Sequence, residues 1–182
     1  LDGLLFNTGI FTNLSQDHLD YHKNTKNYLK AKLYLFEKLI KTKGTIITDE
    51  KIPEFKKIKN IATNKNLNLF TLLDKKNNFQ FLSHQYEHES QLLEIKYKNS
   101  IHKIKLNLIG KVQFKNVLMA VIASIKSGIN IEDILNTIPK IKSVEGRFER
   151  VGRIKNNSKV ILDYAHTPDA LKTCLKNIKE QF

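Results

Sequence analysis

The sequence predicts an α/β fold in which a mostly parallel sheet is flanked by helices and accompanied by a small antiparallel sheet. Two observations predict this fold. Apolar strand-like runs alternate with amphipathic helix-like runs over residues 9–73, a pattern typical of parallel sheets with helical crossovers. Residues 74–107 then alternate apolar and polar side chains around a turn signal at 98–100, which is typical of antiparallel strands.

The elements of the parallel sheet come first in the chain. The predicted strands are 9–12, 45–48 and 67–73, and the predicted helices are 28–40 and 52–61. Asn24 or Thr25 is the expected N-cap of the first helix, and Pro53 suits the first turn of the second. In such a fold, ligands bind in the loops after the strands, because strand carboxyl ends and helix amino ends converge there.

The antiparallel strands and two further helices follow. The predicted strands are 79–82, 92–97 and 101–108, and we expect their sheet at the edge of the parallel one. A strong helix is predicted over 112–128, where Gly128 ends it. A shorter helix is predicted over 131–138, and Pro139 ends that one.

A second domain is predicted to begin near the end of the chain. Its predicted strands are 148–154 and 159–163. They are joined across Asn156 and Asn157, and a helix then begins with Thr167 as N-cap and Pro168 at the first helical position. We therefore predict one domain over 1–147 and the first βα unit of a Rossmann-like domain over 148–182. A single such unit should be poorly supported by itself.

Composition narrows the class of protein. The net charge is +13, but nearly all positive charge is scattered lysine without an aromatic-interleaved basic motif, so we expect no nucleic-acid partner. The three arginines, Arg147, Arg150 and Arg153, lie within seven residues and suggest a need for a planar, stacking cation. No apolar run is long enough for a membrane span, and Cys174 is the only cysteine. We expect a cytoplasmic protein without membrane insertion.

A dense polar run follows the first predicted strand. Asp17, His18, Asp20, Tyr21 and His22 lie within six residues. A loop after a strand is a common ligand site, but the same pattern also fits a solvated loop with a capped helix. Spacing alone leaves both interpretations open.

Five motifs occur in one order along the chain. They are FTNLSQDHLDYH at 11–22, Y-x-x-A-K at 28–32, Leu-Ile-Gly at 108–110 with Asn116, GRFE at 146–149 and DYAHTPD at 163–169. In these motifs the chain resembles the Mur ligase family, most of all its MurE type. The resemblance implies that an ATP-binding loop and a UDP-sugar-binding domain precede this sequence, since G-x-x-x-x-G-K followed by Ser or Thr does not occur in it. We therefore expect a fragment of a longer ligase.

Two candidate catalytic residues come from the first two motifs. By position alone, Lys32 is a lysine whose stem follows the apolar side of its helix, and His18 is a hydrogen-bonded structural residue. The resemblance implies instead that Lys32 reacts with carbon dioxide to form a carbamate, an oxygen ligand suited to Mg²⁺. It also implies that His18 binds a magnesium ion near the γ-phosphate of ATP. Lys32 and His18 should then converge on one cation.

The later motifs imply a nucleotide site. Asn116 matches an asparagine that lies against the adenine, although by position it could equally cap its helix. The family pattern is G-x-F-N-x-x-N, and here Val112 and Gln113 replace the Phe and the first Asn. The resemblance places Arg147 on the nucleotide and Asp163, at the end of an apolar strand predicted to be buried, on the ribose.

The remaining histidines divide into two groups. His166 is implied to point toward phosphate or the tripeptide product, and we count it with the catalytic residues. His84, His88 and His102 match no motif and show no metal spacing, so we interpret them as surface residues. Cys174 is expected to be a packed small apolar residue.

The activity implied is an ATP-dependent ligation. A carboxylate of UDP-MurNAc-L-Ala-D-Glu attacks the γ-phosphate to give an acyl phosphate, and the amine of a diamino acid then displaces phosphate. The cofactors are ATP and Mg²⁺, the partners are these small molecules, and we expect a monomer without turnover as a fragment. The alternatives are a folylpolyglutamate synthase-like or cyanophycin synthetase-like ligase and, more distantly, a basic nucleic-acid-binding module.

Overall fold

The computed structural model describes residues 3–15, 19–74 and 78–182. The chain divides into two compact units that interleave in sequence. The first unit comprises Leu1–Gln80 and Leu118–Ile129, and the second comprises Phe81–Val117 and Asn130–Phe182.

The first unit contains a three-stranded parallel sheet in the order β1-β2-β3. Its strands are β1 (Phe6–Phe11), β2 (Ile40–Thr48) and β3 (Asn68–Thr71), and its helices are α1 (Leu19–His22), α2 (Thr25–Tyr34) and α3 (Phe55–Asn64). Sequence alternation therefore predicted the parallel sheet correctly, because each pair of neighbouring strands is joined by a helical crossover.

Helix α2 begins and ends for different reasons. Asn24 is its N-cap, and the side chain accepts a hydrogen bond of 2.9 Å from the backbone N–H of Asn27. The predicted helix over 28–40 is too long, since a π-helical turn at Leu35–Leu39 leads directly into β2. Phe36 and Leu39 are buried in that turn, so apolar spacing continues past the end of the α-helix.

The core of the first unit lies between the sheet and helices α2 and α3. Its buried members are Phe11, Leu29, Leu33, Phe36, Ile40, Ile46, Ile58 and Ala62. Thr48 is fully buried, and its hydroxyl donates a 2.8 Å hydrogen bond to the carbonyl of Phe11. This bond joins the carboxyl ends of β1 and β2, so the edge where the first motif begins is firmly held.

The second unit contains a three-stranded sheet in the order β4-β5-β6. The strands are β4 (Phe79–Glu87), β5 (Ser90–Tyr97) and β6 (Ser100–Leu106), and β5 pairs antiparallel with β6. Among the described residues this sheet shares no strand pairing with the parallel sheet. The antiparallel strands were thus predicted correctly, but they form a separate sheet.

The remaining elements are α4 (Lys111–Lys126), α5 (Ile131–Thr137), β7 (Glu149–Arg153), β8 (Lys159–Leu162) and α6 (Pro168–Gln181). Strands β7 and β8 pair antiparallel. They are linked by a turn in which Asn156 and Asn157 both have φ of 61°, a left-handed conformation that asparagine tolerates. Thr167 caps α6 by accepting a 3.3 Å hydrogen bond from the Ala170 N–H, as the sequence predicted.

The segment from Gly146 onward leaves apolar side chains exposed. Leu162 in β8 is 50% exposed, and Leu171 and Leu175 on α6 are also exposed. The expectation of a buried strand before Asp163 was therefore wrong, because a lone two-stranded ribbon and one helix can cover only one side of β8. The division at 147 and 148 stays a prediction.

We expect Gly44→Ala to destabilise the first unit. Gly44 lies where β2 has extra residues opposite β1, and an added Cβ would come within 2.7 Å of the Lys41 carbonyl oxygen and 2.9 Å of that of Asn7. Because backbone atoms cannot easily move away, the free energy of unfolding should fall by about 1–3 kcal/mol. The urea unfolding curve measures this change.

Gly152→Ala is the matched control. A Cβ there would meet nothing within 4 Å, so the urea midpoint should stay at the wild-type value. Equal midpoints for both variants would contradict the steric account of Gly44.

Candidate functional site

The side-chain amine of Lys32 lies just past the carboxyl end of β1. Its Nζ donates a 2.9 Å hydrogen bond to the carbonyl of Asn13. The same nitrogen is 4.9 Å from the ring centroid of Tyr28 and 5.7 Å from that of Phe11. The chain thus places the amine of Lys32, a half-buried residue, at the strand end where an α/β protein binds ligands.

Helix α2 orients Lys32 through its buried positions. Leu29 and Leu33 face the core, so the stem of Lys32 follows the edge of that core and only its nitrogen reaches the strand end. The ring of His22 stacks on Tyr28 at 4.9 Å. His18 lies outside the described residues, and its convergence with Lys32 stays a prediction.

A second group of predicted residues comes together in the second unit. The guanidinium of Arg147 lies 5.1 Å from the ring centroid of Tyr164. The ring of His166 meets that of Tyr164 edge-on at 5.0 Å, and its Nδ1 is 3.0 Å from the Tyr164 carbonyl oxygen. All three side chains are accessible to solvent. They offer a cation, an aromatic face and an imidazole, which together suit phosphate and a flat base.

Tyr164 is a candidate site residue that sequence reasoning did not select. It lies within DYAHTPD, so the motif itself was the available signal. Its role becomes visible only when Arg147 and His166 are seen on the same ring.

Asp163 has a structural function as well as a predicted one. Its two carboxylate oxygens accept hydrogen bonds from the backbone N–H groups of Phe148 at 2.9 Å and Ala165 at 3.0 Å. Phe148 has φ of 47°, a strained conformation for a bulky residue. Asp163 therefore holds the turn that carries Arg147. Each oxygen keeps a second lone pair for a hydroxyl group of a ligand.

The amino end of α4 receives its cap from α6. The Asn177 Oδ1 accepts hydrogen bonds from the backbone N–H groups of Lys111 at 2.6 Å and Val112 at 3.4 Å. Asn116 lies in the second turn and is exposed, so the alternative that it caps the helix was wrong. No local pattern could reveal Asn177, since 66 residues separate it from Lys111.

The turn before α4 is also held from the sheet. The buried side chain of Gln91 donates hydrogen bonds to the carbonyls of Leu108 at 2.7 Å and Gly110 at 3.2 Å. In this orientation of the Gln91 amide, its Oε1 accepts a hydrogen bond of 2.8 Å from Nε2 of His84. The His84 ring stacks on Phe114 at 4.3 Å. Gln113, one residue before Phe114, is half-buried in the first turn of α4.

His84 is therefore not a surface residue, contrary to the sequence-based expectation. Its ring packs on Phe114 of α4. His84 and His102 are both half-buried, whereas His88 is exposed. Burial lowers the pKa of His84, assisted by the charge of Lys111 and opposed by the hydrogen bond to Gln91 and the charge of Glu180.

The other two arginines have a different partner from Arg147. Arg150, Arg153 and Lys159 all pair with the carboxylate of Glu89. The Lys159 hydrogen bond and these charges hold the pKa of Glu89 below its usual value. This group ties the β4–β5 turn to the β7–β8 ribbon. Cys174 is buried against Ile109 and Phe148, as expected of a packed small residue.

Two further findings concern the described residues as a whole. No group of three or more His, Cys, Asp and Glu side chains in them could hold a metal ion. The carbamate predicted for Lys32 would fall outside that donor set. In the same residues, no helix has both the length and the apolar character needed to cross a bilayer.

Known sequence families match nearly the whole chain. The Mur ligase middle domain matches residues 1–124, and the Mur ligase glutamate ligase domain matches residues 146–182. Two relatives carry the name UDP-N-acetylmuramoyl-L-alanyl-D-glutamate–2,6-diaminopimelate ligase. The one from Rickettsia montanensis is 35% identical over 95% of this chain, and the one from Clostridium acetobutylicum is 39% identical over 98%. This chain spans about 36% of the length of each relative.

Solved structures show the same fold. MurF from Acinetobacter baumannii superposes with a TM-score of 0.81 and 16% identity, covering 97% of this chain and 38% of that one. MurF from Thermotoga maritima in complex with ADP superposes with a TM-score of 0.75 and 17% identity, covering 97% and 40%. At these identities the likeness concerns the fold alone.

We expect Asp163→Ala to destabilise the second unit. The variant leaves the N–H groups of Phe148 and Ala165 without their acceptor, and Phe148 loses the bond that holds its strained backbone. The free energy of unfolding should fall by about 1–3 kcal/mol, as measured by urea unfolding. The control Glu145→Ala removes an exposed carboxylate two residues before Arg147 and should change the free energy of unfolding little. A wild-type midpoint for Asp163→Ala would refute this role.

We expect His84 to titrate below its ordinary pKa of 6.5, because burial disfavours the imidazolium. Its contribution to stability is then complete above pH 6.5 and is lost as the pH falls through the lowered pKa of the folded state. NMR titration of the His84 ring measures the pKa. In His84→Gln that part of the pH dependence of unfolding should disappear. A ring pKa at or above 6.5 would show that burial does not control this histidine.

Proposed function

Since the chain belongs to the Mur ligase family, as its five motifs predicted, we propose that it forms the nucleotide-side part of a MurE-type ligase. The complete enzyme joins a diamino acid to UDP-MurNAc-L-Ala-D-Glu at the expense of ATP. A carboxylate oxygen of the dipeptide attacks the γ-phosphorus, and ADP leaves. The neutral amine nitrogen then attacks the acyl carbon, a carbon–nitrogen bond forms, phosphate departs with the carbon–oxygen bond electrons, and one proton passes from nitrogen to water. Most of the catalysis is positioning and charge neutralisation.

The observation that carries this proposal is the position of Lys32. The amine of the half-buried residue Lys32 lies 2.9 Å from a backbone carbonyl at the end of a parallel strand, where it is accessible to a ligand in that loop. Relatives named for diaminopimelate ligation share this region at 35–39% identity. The place of Lys32 in the structure and the sequence identity to these relatives thus support the same assignment.

Lys32 is proposed to act as a carbamate. Its neutral amine nitrogen adds to the carbon of carbon dioxide, a nitrogen–carbon bond forms, and one proton goes to water. The two oxygens produced are hard donors of the kind that Mg²⁺ prefers, as is the adjacent carbonyl of Asn13. These groups and His18 would hold the ion, which neutralises phosphate charge when bound.

The nucleotide is assigned to residues of the second unit. Arg147 and His166 are proposed to contact phosphate, and Asp163 the ribose. Gln113 and Asn116 are proposed to lie beside the adenine. Their exposure or half-burial in the structure leaves each of them accessible to a ligand.

The direct test is ligation by the complete polypeptide that we propose contains this chain. It should form ADP, phosphate and a tripeptide product only when ATP, Mg²⁺, UDP-MurNAc-L-Ala-D-Glu and a diamino acid are all present. We expect the 182-residue chain alone to release no ADP. We further propose a cytoplasmic monomer.

The rival assignments predict other results in the same assays. Glutamate addition to folate would favour a folylpolyglutamate synthase-like enzyme, and aspartate or arginine incorporation would favour a cyanophycin synthetase-like ligase. Salt-sensitive retention on DNA without ligation would favour the basic nucleic-acid-binding module. Any of these outcomes would replace the MurE-type proposal.

We expect Lys32→Arg to lower kcat of the complete ligase by about 100-fold or more, because a guanidinium keeps the positive charge and cannot form the carbamate. Incubation with carbon-13-labelled carbon dioxide should give a carbamate NMR signal in the wild type and none in the variant. Lys30→Arg, at an exposed position of the same helix, is the matched control. It should retain the wild-type kcat and the carbamate NMR signal. Full activity of Lys32→Arg would overturn the carbamate assignment.

A further inference from the structure

We infer that Asn177 is a positioning residue for nucleotide binding, because it fixes the amino end of the helix that carries Gln113 and Asn116. The inference rests on the proposed function for the identity of the ligand. The structural coupling itself concerns only contacts within the second unit. No sequence motif includes Asn177.

Asn177 is held in one orientation. It is 5% exposed, and its side-chain Nδ2 donates a 2.7 Å hydrogen bond to the carbonyl of Thr173 on its own helix. The amide oxygen must therefore face away from α6. There it accepts from the N–H groups of Lys111 at 2.6 Å and Val112 at 3.4 Å. These are among the first N–H groups of α4, which have no acceptor within that helix.

Gly110 makes room for this arrangement. Its φ is +86°, and a Cβ there would come within 3.0 Å of the Asn177 Oδ1. The Gly110 N–H donates a 2.8 Å hydrogen bond to the side-chain oxygen of Gln181, one turn further along α6. A side chain at position 110 would therefore displace the amide that caps α4. This close approach explains why glycine suits the position.

The opposite side of the same turn is held by Gln91, which lies on β5. Its amide binds the carbonyls of Leu108 and Gly110, so the N–H groups and the carbonyls of the turn have separate partners. Removing Asn177 should leave the N–H groups of Lys111 and Val112 without their acceptor, while Gln91 still binds the carbonyls of the turn. The expected effect is local fraying of the first turn of α4 rather than loss of the fold.

The consequence for a nucleotide follows from which residues α4 and α6 carry. Gln113 and Asn116 lie in the first two turns of α4, so fraying there would misplace both amides. Helix α6 begins directly after the segment that contains Asp163 and His166. One buried amide thus links the residues assigned to the base with those assigned to the ribose and phosphate.

The test compares three variants of the complete ligase with a control. In Asn177→Ala, we expect amide hydrogen exchange at Lys111 and Val112 to speed up, and KM for ATP to rise about five- to tenfold with kcat at saturating ATP little changed. Preference for ATP over GTP should fall, since the base-side amides lose their orientation. Asn177→Asp keeps the accepting oxygen and adds a charge favoured at a helix amino end. It loses the N–H that donates to the Thr173 carbonyl, so it should restore the three measurements in part.

The remaining variant and the control separate positioning from direct contact. Asn116→Ala should raise KM for ATP without changing exchange at Lys111 and Val112. The control Lys176→Ala, at an exposed neighbour of Asn177 on α6, should change neither KM for ATP nor amide exchange at Lys111 and Val112. Faster exchange with unchanged KM and unchanged base preference in Asn177→Ala would overturn the positioning role, as would unchanged exchange.

Failure of the proposed function would look different. If the wild type neither ligates nor binds ATP, the ligase assignment fails, whatever the exchange rates show. If the wild type ligates and Asn177→Ala behaves like it, the assignment stands and the inference about Asn177 is wrong.

Discussion

Buried amide side chains around Gly110 are the constraint on which the second unit depends. Gln91, Asn177 and Gln181 are each at most 6% exposed, and together they pair the carbonyls and N–H groups of the turn that leads into α4. A buried amide without partners would be costly. Because the partners come from different parts of the chain, the turn has all of these hydrogen bonds only when β5 and α6 are both in place.

The first unit depends on a simpler arrangement. The buried hydroxyl of Thr48 joins the ends of β1 and β2. The carbonyl of Asn13, just beyond β1, accepts a hydrogen bond from the amine of Lys32. The strand end is rigid, whereas the lysine nitrogen is attached through a long stem anchored by buried neighbours. Such a combination gives a reactive group a defined place without burying its charge completely.

The sequence predicted these elements well where local chemistry decides them. The cap at Asn24, one of the two residues predicted, the Thr167 cap and the turn at Asn156 and Asn157 all follow from side chains within a few residues of one another. Predictions failed where apolar spacing was ambiguous or a partner was distant. The run after Tyr34 kept helical spacing into a strand, and His84 could not be placed before Gln91 and Phe114 were seen around it.

The order of the elements, the family and the candidate residues Lys32, Arg147, Asp163 and His166 could all be read from the sequence, because motifs record residue types at short separations. Which side chains meet became known from the three-dimensional fold. It revealed Tyr164 between Arg147 and His166, gave Asp163 two backbone partners, and supplied the cap of α4 from a residue 66 positions away. Hydrogen bonds over such separations depend on how the chain folds back on itself, and no local pattern encodes that.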